Sequence, residues 1–96
     1  MQSTIVRFEI KKSALDKALI LIRDFVNHVQ QNESGTTLYH SFQDEENPCE
    51  FVLIMSFESD EAEEIHHESE QSAVFAKELL SMCSAEPEFQ LFNKLL

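Results

Sequence analysis

The chain has 96 residues, a net charge of -11, one glycine, two prolines, no tryptophan and eight phenylalanines. At this length one domain over residues 1–96 is expected, and 43% hydrophobic residues suffice for one modest core. Eighteen acids against seven scattered bases repel phosphate backbones and anionic lipid surfaces, so neither a nucleic-acid nor a membrane partner is expected. Cys49 and Cys83 form no paired motif and the first residues carry no basic, apolar leader, so a reducing cytoplasm is the expected location.

The chain opens on an alternating pattern, Thr4–Lys11, which reads as a strand with Val6, Phe8 and Ile10 on one face and Ile5, Arg7 and Glu9 on the other. Arg7 is expected to pair with an acid such as Glu9 or one across an interface. A substrate-carboxylate role is its functional alternative. In "SALDKALILIRDFVNHVQQ", Leu15, Ala18, Leu19, Ile22, Phe25, Val26 and Val29 recur at three and four, which predicts an amphipathic helix. Ser13 is its expected N-cap, with Asp16 completing a capping-box pattern. Gly35, the one glycine, falls in the connection that follows, where a positive φ would require it.

Thr36–Phe42 reads as a second strand, with Leu38, His40 and Phe42 on one face and Tyr39 and Ser41 on the other. Beyond a polar turn, where Cys49 is expected to be exposed, Phe51–Phe57 reads as a third strand. It is apolar on both faces: Phe51, Leu53, Met55 and Phe57 on one, Val52 and Ile54 on the other. A strand of that kind is normally covered on both sides. Residues 60–83 read as helix, with Ser59 as N-cap, acids in the first turns, and a stripe of Ala62, Ile65, Ala73, Ala76, Leu79 and Leu80. The stripe weakens near Ser69, which predicts a short helix followed by a longer one. The segment after Pro87 reads as a last strand with Phe89 and Leu91 on one face.

The element order predicts an α+β, ferredoxin-like βαββαβ antiparallel sheet with two helices on one face. Two helices leave the other sheet face bare, and something else must cover it.

The stretch "EIHHESE" holds two adjacent histidines among acids. His66 lies beside the Ala62–Ile65 stripe and is the inward candidate, while His67, about 100° round the helix, is expected in solvent. Glu63 with His67, and His66 with Glu70, are each four apart and could hydrogen-bond. That spacing could also hold a divalent ion, but a third converging ligand is lacking, so no metal is expected. Tyr39 and His40 lie on opposite faces of their strand and either could place one polar group in an apolar pocket. His28 reads as a surface or junction residue. Cys49 has acids around it that disfavour a thiolate, so no thiol catalyst is expected.

Two stretches carry a family likeness. "ESGTTLYHSFQDEENPCEFVLIMSFES" resembles an E-x-G-x-x-x-Y strand, a polar turn, and an apolar strand ending in an aromatic residue followed by Glu-Ser. "SDEAEEIHHES" resembles an S-x-x-A-x-x-x-H helix entry, and Phe75 falls at the aromatic position that follows. With the length and element order, the chain resembles the antibiotic biosynthesis monooxygenase type of domain in the dimeric α+β barrel superfamily. The resemblance implies a homodimer through the sheet face, with Val52 and Ile54 meeting the second subunit. It also implies a cavity between sheet and helices. The activity it implies is a cofactor-independent monooxygenase acting on a quinol- or phenol-type aromatic, with no cofactor and no metal. In that reading His66 is the base and Tyr39 a polar partner, and Phe8, Phe25, Phe57 and Phe75 line the substrate pocket. The competing reading is a non-catalytic dimeric domain of the same fold that binds a small apolar ligand or serves as an interaction module. Two departures favour the competitor. Phe57 stands where the family often has Trp, and Gln71 where many members have a second histidine. Without any Trp, the site of the haem-degrading branch does not carry over.

Overall fold

A computed structural model describes residues 2–96. The elements are β1 (Gln2–Glu9), α1 (Leu15–Asn32), β2 (Thr36–Gln43), β3 (Glu50–Phe57), α2 (Asp60–Glu68), α3 (Glu70–Met82) and β4 (Glu88–Asn93). The four strands form one antiparallel sheet in the order β2-β3-β1-β4, so the doubly apolar β3 and the alternating β1 are central. This is the ferredoxin-like βαββαβ arrangement, with the second helical segment divided in two.

Register explains which side chains meet. Val6 lies opposite Leu53 and Phe8 opposite Phe51, while Tyr39 faces Met55 across the other ladder. These residues share the helix-covered face and are buried, together with Ala18, Ile22, Phe25 and Val29 from α1 and Phe75 and Leu79 from α3. Phe8 stacks on Phe51 with ring centres 5.5 Å apart, and Phe25 stacks on Phe75 at 4.1 Å. Fully burying side chains of this size contributes about 1.5–3 kcal/mol each, so this layer supplies most of the fold's stability.

The opposite face has no cover. Ile5, Val52 and Ile54 are half-buried, and Leu38, Phe42 and Phe92 are exposed there. β4 is exposed at every position, and Phe89, although on the helix side of the sheet, keeps 72% of its surface because none of the three helices packs over this edge.

Several local expectations change. Ser13 does not cap α1. Residues Lys12–Ala14 form a 3-10 turn first, and the helix begins at Leu15 with no side-chain cap. Gly35 has no positive φ. It is needed for space, because a Cβ there would lie 2.6 Å from the Ala62 Cβ. Arg7 does not pair with Glu9; it donates to Gln90 Oε1 at 2.7 Å, its diagonal neighbour on β4 on the open face. Cys49 is half-buried rather than exposed.

The largest revision concerns the apolar stripe of the second helical segment. Ser69 takes an extended backbone (φ -66°, ψ 145°) and ends α2 while capping α3 through the Ser72 N–H at 3.1 Å. The inward residues are Ala62 and His66 before this break, and Phe75 and Leu79 after it. Each pair keeps the i, i+4 spacing, but the nine-residue step from His66 to Phe75 fits no whole number of 3.6-residue turns. The break falls at Ser69 and gives a short helix followed by a longer one, as the weakened stripe predicts, but the inward residues on either side of it differ from that stripe. Ile65 is 62% exposed, and Ala73, Ala76 and Leu80 also face out.

Candidate functional site

The two motif stretches meet in space where α1 passes into β2 and β3 passes into α2. Glu33 is the residue that ends α1, its N–H bonded to the Val29 carbonyl at 3.0 Å. Two residues on, the Gly35 carbonyl accepts from the Glu58 N–H at 2.9 Å, which pins the two connections together. The close Gly35–Ala62 approach lets the first turn of α2 sit directly on the first connection. Ser59 starts that turn, its Oγ accepting from the Ala62 N–H at 3.1 Å. His66 is one turn further along the same face as Ala62, so its ring enters the interior.

There His66 is 4% exposed, and its Nδ1 lies 2.6 Å from Glu33 Oε1. The same carboxylate oxygen accepts from Thr36 Oγ1 at 2.9 Å. The His66 ring is enclosed by aromatics, with centre-to-centre distances of 5.3 Å to Tyr39, 5.3 Å to Phe57 and 6.1 Å to Phe25. Burial lowers the His66 pKa below the ordinary histidine value, and the Glu33 hydrogen bond and charge only partly oppose it. His66 is therefore neutral near pH 7, and a neutral ring that faces a carboxylate through Nδ1 carries its proton on Nδ1. The Nε2 nitrogen is then left with a lone pair. Tyr39 is 3% exposed, and burial followed by the Glu33 charge pushes its phenol well above the ordinary range. It remains a neutral hydroxyl and cannot serve as a base.

The expected site residues do not all come together. Tyr39, His66, Phe25 and Phe57 form one cluster, and Phe75 joins it by stacking on Phe25. Phe8 packs on Phe51, six residues along β3 from Phe57 and so roughly 20 Å away. The expected His66–Glu70 bond is replaced by the one to Glu33. His67 Nε2 lies 3.7 Å from Glu63 Oε2 on the surface of α2, near it but beyond hydrogen-bond distance. His28 sits at the junction, half-buried and stacked on Phe25. His40 lies beside the Gln30 amide at 3.3 Å at the sheet edge, and the same amide donates to the Tyr39 carbonyl at 2.8 Å. Glu33 is the residue that sequence reasoning passed over. Its signal was present as the first letter of the E-x-G-x-x-x-Y stretch, but nothing local connects it to a histidine 33 positions away.

The interior beside His66 is filled by these rings. Two concave surfaces border the cluster: one of about 320 Å³ on the Glu33, Thr36 and Ala62 side, and an open groove of about 460 Å³ between α1 and α3. The buried Phe25 and Phe75 form the floor of the groove. Leu21 and Val74 flank them, and Asp24, His28, Glu70 and Gln71 supply polar groups. A further cleft, of about 480 Å³, lies at the far end of the sheet around Arg7, Phe8, Phe42 and Phe51, bordered by Glu9, Asp44, Glu50, Glu86 and Glu88. Among the described residues, no three His, Cys, Asp or Glu side chains group closely enough to hold a metal ion. No helix among them is long and apolar enough to cross a membrane.

Comparison with known proteins adds three findings. The sequence model of a family described as antibiotic biosynthesis monooxygenase matches residues 1–78. Solved structures share the fold. A crystal structure of an antibiotic biosynthesis monooxygenase superposes with a TM-score of 0.90 at 24% identity, covering 100% of both chains. A conserved protein from Methanosarcina mazei superposes at 0.88 with 16% identity, over 98% of this chain and 92% of that one. A Mycobacterium tuberculosis protein does so at 0.87 with 17% identity, over 98% and 94%. No curated protein sequence matches the chain.

Proposed function

This chain belongs to the antibiotic biosynthesis monooxygenase family, and from that premise we propose that it is a cofactor-independent monooxygenase for a phenol- or quinol-type aromatic, with His66 as the base. The observation that carries this reading is the inward, neutral His66, held through Nδ1 by the Glu33 carboxylate at 2.6 Å in a water-poor aromatic enclosure. A neutral imidazole near pH 7 is in the form a base requires. Taking the phenolic proton at Nε2 leaves an electron-rich phenolate, and the desolvated surroundings favour its attack on dioxygen over return of the proton from water. The stoichiometry closes without an outside reductant: a phenol and one dioxygen give a quinone and one water. Tyr39, held neutral by burial, acts as a hydrogen-bond donor to the developing oxyanion. The aromatic substrate enters by the groove between α1 and α3, and it meets His66 when the Phe75 ring leaves its stack on Phe25.

The bare sheet face completes the proposal. Ile5, Leu38, Phe42, Val52, Ile54 and Phe92 form an apolar surface that a second copy would cover, giving a homodimeric α+β barrel. A small acidic chain in which no helix among the described residues is long and apolar enough to cross a membrane fits a cytoplasmic location.

Oxygen uptake with a panel of phenols and quinols tests the chemistry. Wild type should consume oxygen with at least one of them, and His66→Ala should lose about 10²–10⁴-fold in rate. Unchanged turnover in His66→Ala defeats the base assignment. The stacked Phe25–Phe75 pair, which fills the space beside His66, favours a second reading as a non-catalytic dimeric ligand-binding domain. That reading gains if the same aromatics perturb Phe25 and Phe75 resonances with no oxygen consumed.

A further inference from the structure

We infer that Glu33 is a positioning residue which fixes His66 in a single tautomer, proton on Nδ1 and lone pair on Nε2, so that only Nε2 can take up a proton. The inference rests on the reading of His66 as the base and adds a residue to it. Three observations carry it. The His66 Nδ1 lies 2.6 Å from Glu33 Oε1, a short charge-assisted bond. Glu33 is itself held in place: its backbone closes α1 on the Val29 carbonyl, and Thr36 Oγ1 donates to the same Oε1 at 2.9 Å. Around the His66 ring the remaining neighbours are Tyr39, Phe57, Phe25 and the adjacent His67, and among the described residues the ring makes no hydrogen bond other than the one to Glu33.

The geometry also has an energetic logic. A carboxylate 13% exposed is costly to bury unless hydrogen-bonded, and Glu33 has two donors on one oxygen. When Nε2 accepts a proton from a phenol, the O–H bond breaks, an N–H bond forms, and the ring becomes an imidazolium already paired with Glu33. The Glu33 side chain, 2.6 Å from Nδ1, faces that cation and stabilises it, as the buried acid does in hydrolase triads. The other charges near the ring are Glu63 and His67 on α2, both on its more exposed side.

The test is nitrogen NMR of protein labelled at histidine, followed through a pH titration. His66 is assigned by its absence in His66→Gln. Wild type is expected to show His66 as one tautomer, Nδ1 protonated and Nε2 unprotonated, until the ring titrates. In Glu33→Gln the His66 midpoint is expected to move down, because the carboxylate that favours the charged ring is gone. In Glu33→Asp, which keeps the charge, it should return toward wild type. Wild-type His66 carrying its proton on Nε2, or as a mixture, overturns the inference without any variant needing to fold. A midpoint unmoved in a folded Glu33→Gln overturns it as well. Failure of the base reading shows separately, as unchanged oxygen uptake in His66→Ala, while the tautomer result stands on its own.

Discussion

The two faces of the same sheet are both apolar, yet they are in different conditions. On the helix side, Phe51, Leu53, Met55 and Phe57 of β3 are buried beneath α1, α2 and α3, and the polar Glu33, Thr36 and His66 satisfy one another. On the other side, Val52 and Ile54 of the same strand are only half-buried, with Leu38 and Phe42 beside them exposed. One face is completed by the chain's own helices and holds the candidate site. The other is left apolar and open, and is the surface proposed to meet a second copy. Substitutions on the two faces should therefore report on different equilibria, the first on unfolding and the second on association.

The largest contrast is expected between two phenylalanines. Phe25→Ala removes a ring that contacts Tyr39, His66 and Phe75 and should cost about 3–5 kcal/mol in denaturant unfolding. Phe42→Ala, on the open face, should change monomer stability by about 0.5 kcal/mol or less and weaken self-association instead. Equal losses of monomer stability at both positions would erase the distinction between the faces. Gly35→Ala comes next. Its new Cβ meets the Ala62 Cβ, so overpacking should cost about 1–3 kcal/mol, and adding Ala62→Gly should return part of that loss. Ser59→Ala removes the cap of α2 and should cost about 1 kcal/mol by thermal or chemical unfolding.

The smallest effect is expected from pH, because burial and Glu33 act on His66 in opposite directions. The folded pKa of His66 lies below the unfolded value of about 6.5. Below that value the unfolded chain binds the extra proton first, so ΔG of unfolding falls as pH falls. The His66 contribution is whole above about pH 6.5 and is lost as pH drops through the folded pKa. His66→Gln should flatten this part of the stability profile, and an unchanged profile would place its cause elsewhere.

How much of this was legible in the sequence depends on the range of the interaction. The alternation of Val6, Phe8 and Ile10 and the three-four spacing of Ala18, Ile22, Phe25 and Val29 are local, and they led directly to the observed strand and helix. The doubly apolar β3 correctly announced a central strand. Failures came where one residue resets a period or where partners are distant. The weak stripe at Ser69 correctly announced the break between α2 and α3 but not the phase on either side of it, so Ile65 was assigned inward when it points out. The 3-10 turn at Lys12–Ala14 moved the helix start past Ser13. Glu33 meets His66 only because Gly35 and Ala62 let two connections touch, a tertiary fact with no local pattern. Phe8 was grouped with the other aromatics by type, whereas its place along β1 puts it at the far end of the sheet beside Phe51.

The measurement that bears most directly on the difference between the two faces is sedimentation velocity at micromolar concentration, on wild type and on Ile54→Asp. The account expects a wild-type dimer, and an Ile54→Asp protein that is a folded monomer, because an unpaired carboxylate in the centre of the covered face blocks association without touching the helix-side core. A wild type that sediments as a monomer would contradict it. The apolar residues of the open face would then face water, and no second copy would complete the sheet.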